Sequence, residues 1–338
     1  MKFNTIANGR LKLSQIGLGT GPLGGLYSES PREQAMQVLE AAWQSGIRYF
    51  DTSPFYGYGL AERRVGDFLQ GKNSDDWTLS TKVGRLLKPS SGSSPDIAAF
   101  VNALKFGTEF DYTYDGIMRS IEDSYARLGL TKIDVAYVHD IGRFAHSAEM
   151  NEHYLGQLEN GGFRALDELR SSGAIKAWGI GVNEVAICHD VMARADMNCI
   201  LLAGRYTLLD RSGAELVANC GARDVAIIAG GVFNSGILAT GATDGAYFDY
   251  QPANADIKAR VDAMQDIAQT RGHGLIQAAL QFPIQAPEVA SMLLGVDSVD
   301  KLQRNMNDLA KPLPDSAWGA FECHAMRGKV DRSDPRID

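Results

Sequence analysis

The sequence predicts an α/β fold, a (β/α)8 TIM barrel with an N-terminal β-hairpin and long loops at the C-terminal face of the barrel. Three observations predict this fold. Short apolar runs alternate with helical stretches along the chain, and eight such strand–helix units occur. The 338 residues divide into units of about 42 residues, a length that suits this barrel. The runs are apolar throughout rather than alternating, as expected for a parallel sheet that is covered on its outer face.

The strands are predicted from short apolar runs bounded by glycine, proline or polar residues. Two early runs, 5–7 and 11–13, flank Asn8-Gly9. Because Asn-Gly is the strongest two-residue hairpin turn, we expect a hairpin before the barrel. The eight barrel strands are predicted at 15–18, 47–50, 77–81, 133–138, 177–182, 199–202, 225–229 and 289–294.

Helices are predicted where apolar residues recur three and four positions apart, often before a glycine that ends the helix. In the first helix Ser30 is the expected N-cap, Pro31 the first helical residue and Glu33 the partner in a capping box, and Gly46 ends the helix. The later helices are predicted at 114–128, 163–170, 185–195, 214–220, 255–282 and 299–309.

Two connections are long, 84–113 and 230–254, and both are rich in small residues. Long loops in a compact domain are usually functional or disordered. These two follow strands 3 and 7, so we expect them above the face that carries the active site in such barrels. No linker or low-complexity tract interrupts the chain. We therefore expect a single domain over 1–338, with a barrel core at 14–310 and a C-terminal tail at 311–338.

Composition excludes several classes of function. The chain has 33 Lys and Arg against 41 Asp and Glu, a net charge of −8, and its pI is near 5.3. This balance disfavours nucleic acid and anionic membranes as partners, since both require a basic surface. No apolar run reaches the length of a membrane span and no signal peptide is evident, so we expect a cytoplasmic protein. The four cysteines lack CxxC spacing and the six histidines lack HxH or HExxH spacing, so no metal site is expected.

A GxGxxG pattern at 19–24 matches the dinucleotide fingerprint of Rossmann folds. That fingerprint requires a helix to begin within the glycines, so that its N-terminus meets the pyrophosphate. Here the first helix begins near Pro31. We therefore interpret the match as unrelated to a Rossmann fold, while the glycines indicate that the backbone closely approaches another group at this edge of the sheet.

Polar residues end three successive strands. Asp51 follows strand 2, Lys82 follows strand 3 and His139 follows strand 4, and Tyr56 lies in the loop after Asp51. Taken singly, the Asp could be a helix cap, the Tyr half-buried packing and the His a structural residue. A lysine at a buried barrel rim requires a partner, and Asp51 lies one strand away. At the C-terminal ends of barrel strands this set predicts a catalytic site.

These four residues form an acid–base device. Tyrosine has an ordinary pKa near 10, which is too high for proton shuttling at neutral pH. We expect the Lys82 ammonium to lower the pKa of Tyr56, and Asp51 to hold that ammonium in place. His139 can orient a substrate oxygen by a hydrogen bond and stabilise charge on it.

The segment from Asp51 to Gly57, with Lys82 and His139 in their strand contexts, resembles the Asp–Tyr–Lys–His tetrad of the aldo-keto reductases. The resemblance extends from Ile16 to Asn305. It implies NAD(P) lying across the C-terminal face of the barrel, with Asp51, Tyr56, Lys82 and His139 as catalytic residues. Phe55, Tyr56 and His139 would contact the substrate. The implied cofactor-binding residues are Gly19, Thr20, Asp51, Asn183, Gly230, Gly231, Phe233, Gly236, Leu238, Gly295, Asp297, Lys301 and Asn305.

The sequence departs from common members of this family in its cofactor loops. Ala203 occupies the position of a usual Gln, and Gly230 that of a stacking aromatic, for which Phe233 could substitute. In the last βα loop, a Lys-Ser pair that holds the 2′-phosphate of NADP in other members is absent. Asp297 and Asp300 there would repel a phosphate but could accept from a ribose hydroxyl, so we expect NAD, although Lys301 or Arg304 could still permit NADP.

The resemblance is closest to the branch of the family that acts on L-fucose-type aldoses and on pyridoxal. It implies oxidation of a cyclic hemiacetal, pyridoxal or an aldose, to its lactone, so the expected partner is a small sugar or pyridoxal-like molecule. Three alternatives remain: an NADPH-dependent reductase of aldehydes and ketones, a Schiff-base aldolase that uses Lys82, and a non-catalytic nucleotide-sensing subunit. The oligomeric state is not indicated.

Overall fold

Eight parallel strands close into a barrel in chain order, and helices cover its outer face, as predicted. A computed structural model describes residues 1–90 and 100–327. Residues 91–99, within the predicted loop 84–113, and 328–338, within the predicted tail, lie outside the described residues. The barrel strands are β3 (Ile16–Gly19), β4 (Tyr49–Asp51), β5 (Thr78–Val83), β8 (Val135–His139), β9 (Ala177–Val182), β10 (Cys199–Ala203), β11 (Ala226–Gly230) and β14 (Val289–Gly295).

Within residues 1–90 and 100–327, six further strands form three antiparallel pairs outside the barrel. The first pair is the predicted N-terminal hairpin, and the other two lie within the two long connections. Their bounds are β1 (Phe3–Ile6) with β2 (Leu11–Ser14), β6 (Arg85–Pro89) with β7 (Phe106–Phe110), and β12 (Tyr247–Phe248) with β13 (Gln251–Pro252).

The helices agree with the prediction in order, and α3 and α11 agree to the residue. Three helices of the described residues were not located from the sequence: Leu60–Leu69, Ala148–Gln157 and Ile237–Thr240. The bounds are α1 (Arg32–Gln44), α2 (Leu60–Leu69), α3 (Tyr114–Leu128), α4 (Ala148–Gln157), α5 (Phe163–Ser171), α6 (Ala186–Met192), α7 (Ala214–Gly221), α8 (Ile237–Thr240), α9 (Ala255–Thr270), α10 (Leu275–Gln281) and α11 (Val299–Leu309).

Two local predictions were wrong. Helix α1 begins one residue later than predicted, with Pro31 at its N-cap and no side-chain cap, so Ser30 and Glu33 form no capping box. The predicted helix 255–282 is two helices, because the chain adopts a left-handed conformation at Gly272 (φ +75°). A glycine takes up that conformation at no steric cost, which ends α9 and lets α10 start in a new direction.

Apolar packing and the N-terminal hairpin close the N-terminal end of the barrel. Residues of the barrel interior, such as Tyr49 and Leu293, pack in one cluster with Leu11 and Leu13 of the N-terminal hairpin. A hydrogen bond of 3.0 Å from the Thr78 hydroxyl, at the start of β5, to the Lys12 carbonyl holds this hairpin at the N-terminal end. The C-terminal end is left for the polar residues that end the strands. Over the described residues, no helix has the length and apolar character required to cross a membrane.

Candidate active site

Asp51 and Lys82 form a buried ion pair at the C-terminal ends of β4 and β5. Asp51 pairs in register with Ser80, so Lys82 lies two residues further along β5 on the same face. Its Nζ lies 2.7 Å from Asp51 Oδ2 and 3.0 Å from the Thr52 carbonyl. Both charged side chains are only 2% exposed. An amine that acts as a Schiff-base nucleophile must be free and neutral, so this clamped ammonium disfavours the aldolase alternative.

A hydrogen-bonded chain of hydroxyl groups supports Asp51 from inside the barrel. The Ser80 hydroxyl donates to Asp51 Oδ1 over 2.6 Å, and the Tyr49 hydroxyl lies 3.0 Å from the Ser80 oxygen and 3.1 Å from the Tyr137 hydroxyl. Burial is the largest influence on the pKa of Asp51 and raises it, whereas Lys82 and Ser80 oppose the rise. Both carboxylate oxygens have partners, which is the condition for a stable buried charge.

Tyr56 lies in the turn after β4, above the Lys82 ammonium. Lys82 Nζ is 4.9 Å from the centre of the Tyr56 ring. This turn is seated against the loop after β3: a Cβ on Gly24 would lie 2.6 Å from the Tyr56 carbonyl carbon, and one on Gly57 would lie 2.4 Å from the Gly24 oxygen. The close approach expected from the glycine-rich segment is therefore to the Tyr56 turn.

The pKa of Tyr56 differs from the expected direction. Burial raises it well above 10.0, and the carboxylates of Asp51 and Asp140 and the hydroxyl of Tyr250 add to the rise, while Arg85 opposes it. The prediction of a lowered pKa considered the Lys82 charge alone. In the structure Asp51 offsets that charge, and desolvation determines the sign.

His139 ends β8 as a neutral hydrogen-bond donor. Its Nδ1 lies 3.3 Å from the Ser53 hydroxyl, which accepts from the Phe55 N–H and can donate its own proton to Nδ1. Its Nε2 lies 3.6 Å from Asp140 Oδ2, so a donor is favoured there. Burial lowers the pKa of His139 to about 3. These neighbours assign the Nε2–H tautomer, which can donate to a substrate oxygen at neutral pH.

An ion pair borders the His139 and Phe55 side chains. Arg85 Nη2 lies 2.6 Å from Asp140 Oδ2. The Arg85 guanidinium lies over the Phe55 ring, 4.0 Å from its centre, and over the Phe110 ring at 4.6 Å. Neither charged residue was assigned a role from the sequence, although Asp140 directly follows the recognised histidine and Arg85 comes three residues after the lysine.

The residues implied for cofactor binding gather at this face of the barrel. Gly19, Gly230 and Gly295 end strands β3, β11 and β14, and Asn183 directly follows β9. The Thr20 hydroxyl donates to the Asp51 carbonyl over 2.9 Å. Four further implied residues follow β11: Gly231, Phe233, Gly236 and Leu238.

Some implied residues have packing roles in the structure. Leu238 is fully buried, and its N–H donates to the Phe233 carbonyl. Phe233 packs against two apolar clusters of the core. Asn305 is buried on α11. An aromatic side chain does approach Asn183, but it is Tyr250, whose hydroxyl is hydrogen-bonded to the Asn183 side chain.

The last βα loop offers an acceptor for a ribose. Asp297 Oδ2 lies 2.7 Å from Lys301 Nζ, and Gln34 donates to the Asp297 carbonyl over 2.6 Å. Asp297 Oδ1 is buried without a hydrogen-bond partner. A buried oxygen of this kind fits the hydroxyl group of a nucleotide ribose, so the residues here are compatible with a bound dinucleotide.

The fold and the site together indicate the class of protein. A (β/α)8 barrel whose C-terminal face holds a Tyr above a buried Lys–Asp pair, with a neutral His beside it, is suited to moving a proton at a substrate oxygen. The sequence pattern of the Aldo/keto reductase family matches residues 15–325. The chain belongs to this family and is an NAD(P)-dependent oxidoreductase, as the resemblance implied.

Two relatives are similar over nearly the whole chain. Pyridoxal 4-dehydrogenase of Microbacterium luteolum is 45% identical over 318 residues, which cover 91% of this chain and 93% of the relative. D-threo-aldose 1-dehydrogenase of a Pseudomonas species is 36% identical over 315 residues, with the same coverage of 91% and 93%.

Solved structures show the same fold. An aldo-keto reductase of Bacillus halodurans superimposes with a TM-score of 0.76 at 21% identity, covering 100% of both chains. A glycerol dehydrogenase of Gluconobacter oxydans gives a TM-score of 0.74 at 20% identity, covering 95% of this chain and 94% of that one.

Proposed function

We propose that this protein oxidises a cyclic hemiacetal, either pyridoxal in its hemiacetal form or an aldose of the L-fucose type, to the corresponding lactone. The single observation that carries the proposal is the arrangement of Tyr56 and His139 above the Asp51–Lys82 pair. The names of the two relatives, a pyridoxal dehydrogenase and an aldose dehydrogenase, support this substrate class.

The chain's own residues supply the proton chemistry. When bound, the oxidised nicotinamide is the hydride acceptor. His139 Nε2–H orients the hemiacetal oxygen, and Tyr56, in its phenolate form, takes the proton from that oxygen and becomes the neutral phenol. Lys82 provides positive charge beneath the Tyr56 ring, and Asp51 holds Lys82 in place. Asn183 and the backbone at Gly19 and Gly230 would hold the nucleotide across the barrel.

We propose that NAD is preferred to NADP, because the Asp297 carboxylate occupies the last βα loop and neutralises Lys301. We expect Asp297→Asn to raise the ratio of kcat/KM for NADP to that for NAD by about fivefold, since a unit charge about 4 Å away contributes roughly 1 kcal/mol in water. Steady-state kinetics with both nucleotides measure this ratio.

Asp300→Asn is the matched control for cofactor choice. It removes the same charge from an exposed position three residues away, in the first turn of α11. The preference is expected to stay with NAD in this control. An equal shift in both variants would show that net charge, not the position of Asp297, determines the choice.

A spectrophotometric screen tests the proposed function. We expect reduced nucleotide to form from NAD with pyridoxal or with one of L-fucose, D-arabinose and L-xylose, and far more slowly from simple alcohols. Activity only with NADPH and aldehydes or ketones would show a reductase. Stoichiometric nucleotide binding without turnover of any compound would show a sensing subunit instead.

The cytoplasmic location and the single domain over 1–338 stay predictions. The same holds for the individual roles of the cofactor-binding residues.

A further inference from the structure

The ion pair of Asp140 and Arg85 lies beside the proposed catalytic groups without a part in the proton chemistry. Asp140 Oδ2 is 2.6 Å from Arg85 Nη2 and 3.6 Å from His139 Nε2, the nitrogen that faces the substrate oxygen in the proposed function. The two side chains are 17% and 11% exposed. A carboxylate in this position is close enough to His139 to contact the same substrate molecule.

The surroundings hold Arg85 rigidly. Its guanidinium lies over the rings of Phe55 and Phe110, from the turn after β4 and from β7. An arginine stacked on aromatic faces and paired with a carboxylate loses most of its rotamer freedom. Arg85 thus fixes the orientation of Asp140 Oδ2, and its Nη2 group is occupied by this ion pair.

The backbone of Asp140 has an uncommon, left-handed conformation. Its φ of +52° lies in the left-handed region, which residues other than glycine adopt uncommonly. The conformation is held by the hydrogen bond of 3.0 Å from the Asp140 N–H to the Gly181 carbonyl and by the Tyr112 hydroxyl, which donates to the His139 carbonyl over 2.6 Å. Strained residues of this kind cluster at functional sites.

The carboxylate is charged and its field reaches the reacting groups. Burial would raise the pKa of the Asp140 carboxyl, but the N–H group of the neighbouring His139 and the Arg85 and Lys82 cations hold it below its ordinary value. The same carboxylate raises the pKa of Tyr56 and that of Tyr250. Asp140 is therefore an anionic hydrogen-bond acceptor whose charge acts on both hydroxyl groups.

We propose that Asp140, oriented by Arg85, selects the substrate by accepting a hydrogen bond from a hydroxyl group close to the reacting carbon. This inference rests on the proposed function and names the feature that its substrates share. An aldose carries a hydroxyl on the carbon next to its anomeric carbon. Pyridoxal carries a phenolic oxygen on the ring carbon next to the one that bears its reacting carbon, and this oxygen donates a hydrogen bond in the tautomer that keeps the proton on the oxygen rather than on the ring nitrogen. A charged acceptor rejects analogues that lack such a hydroxyl, because its own desolvation is then uncompensated.

The test combines a substrate deletion with a side-chain change. For the wild-type enzyme we expect kcat/KM to fall about 10- to 100-fold from L-fucose to 2-deoxy-L-fucose, or from pyridoxal to 3-deoxypyridoxal. In Asp140→Asn the ratio of kcat/KM for the hydroxylated substrate to kcat/KM for its deoxy analogue should fall about tenfold. The loss should be confined to the hydroxylated substrate. Equal losses on both substrates, with the ratio unchanged, would show that Asp140 only holds the structure together.

The matched control is Glu109→Gln. Glu109 lies on β7 of the same hairpin as Arg85 and pairs with Lys88 at 3.4 Å, but both side chains are about half exposed. The control should leave the substrate ratio unchanged. If Asp140→Asn does not fold, as judged by thermal unfolding, Arg85→Lys releases the carboxylate and should lower the same ratio; an unchanged ratio there would contradict the inference.

The two proposals fail in different ways. A wild-type enzyme that oxidises neither hydroxylated substrate nor its deoxy analogue contradicts the proposed function. If the wild-type enzyme oxidises the hydroxylated substrate and its deoxy analogue at equal rates, the proposed function stands and only the proposed role of Asp140 is contradicted.

Discussion

Tyr56→Phe is expected to reduce kcat for hemiacetal oxidation by about 10³-fold, because general acid–base catalysis contributes about 10²–10⁴-fold. The variant keeps the ring that packs edge-on against His139, with ring centres 6.2 Å apart, and loses only the proton-accepting oxygen. NADH formation at saturating nucleotide measures kcat, and nucleotide binding should be nearly unchanged. Near-normal turnover would exclude Tyr56 as the base.

The pH dependence of the oxidation rate distinguishes the contribution of Tyr56 from that of His139. Because burial raises the pKa of Tyr56, the phenol predominates at neutral pH and the competent phenolate increases as the pH rises. Wild-type oxidation should therefore accelerate from pH 7 to 10. His139, with its pKa lowered to about 3, stays neutral over this range and adds no limb to the profile. The residual activity of Tyr56→Phe should be flat, and a flat wild-type profile would contradict the assignment.

Tyr58→Phe is the control for the loss of a hydroxyl in the same turn. Tyr58 is fully buried, two residues from Tyr56. This variant should retain most of the wild-type rate and the alkaline rise. A loss as large as that of Tyr56→Phe would indicate that the turn, rather than the Tyr56 oxygen, is what the reaction requires.

The barrel and the positions of Asp51, Lys82 and His139 could be predicted because they depend on strand order. Consecutive parallel strands end at one face of the sheet, so polar residues that end them must meet there. The pairing of Asp51 with Ser80 in register confirms this geometry. Residue type and order along the chain contain this information without any knowledge of side-chain packing.

The sign of the Tyr56 pKa could not be predicted from residue types. The Lys82 ammonium and the Asp51 carboxylate lie 2.7 Å apart and largely cancel each other, so desolvation determines the direction. That outcome depends on how deeply the turn is buried, which follows from the close approach of Gly24 and Gly57. Such a contact joins two loops and leaves no periodic pattern in either.

Arg85, Asp140 and Tyr250 were missed for a related reason. Tyr250 lies in a long connection whose course follows no periodicity, and its contact with Asn183 joins segments 67 residues apart in the numbering. Arg85 begins the β6–β7 hairpin, which was predicted only as a loop. A charged residue next to a recognised catalytic histidine was the signal available for Asp140.

Lys82→Met is expected to lower the free energy of unfolding by about 3–5 kcal/mol, because it leaves the buried Asp51 carboxylate without its cation. Oxidation should be lost as well, since no positive charge remains beneath the Tyr56 ring. Chemical denaturation and kcat measure the two effects. Lys88→Met, which removes a lysine from an exposed ion pair with Glu109, should change stability by less than about 1 kcal/mol.

The double variant Asp51→Asn with Lys82→Met separates stability from catalysis. Removing both charges leaves no unpaired buried ion, so we expect most of the stability to return while turnover stays low. The pH dependence of the single variant adds a further test. Burial raises the folded-state pKa of Asp51 above its ordinary 3.8, so the folded chain binds more protons than the unfolded chain between these two values. The deficit of Lys82→Met should therefore shrink as the pH falls through the folded-state pKa, and it should be largest at neutral pH. If the double variant were as unstable as Lys82→Met, or if it recovered turnover, the ion pair could not be the element that holds the charge beneath Tyr56.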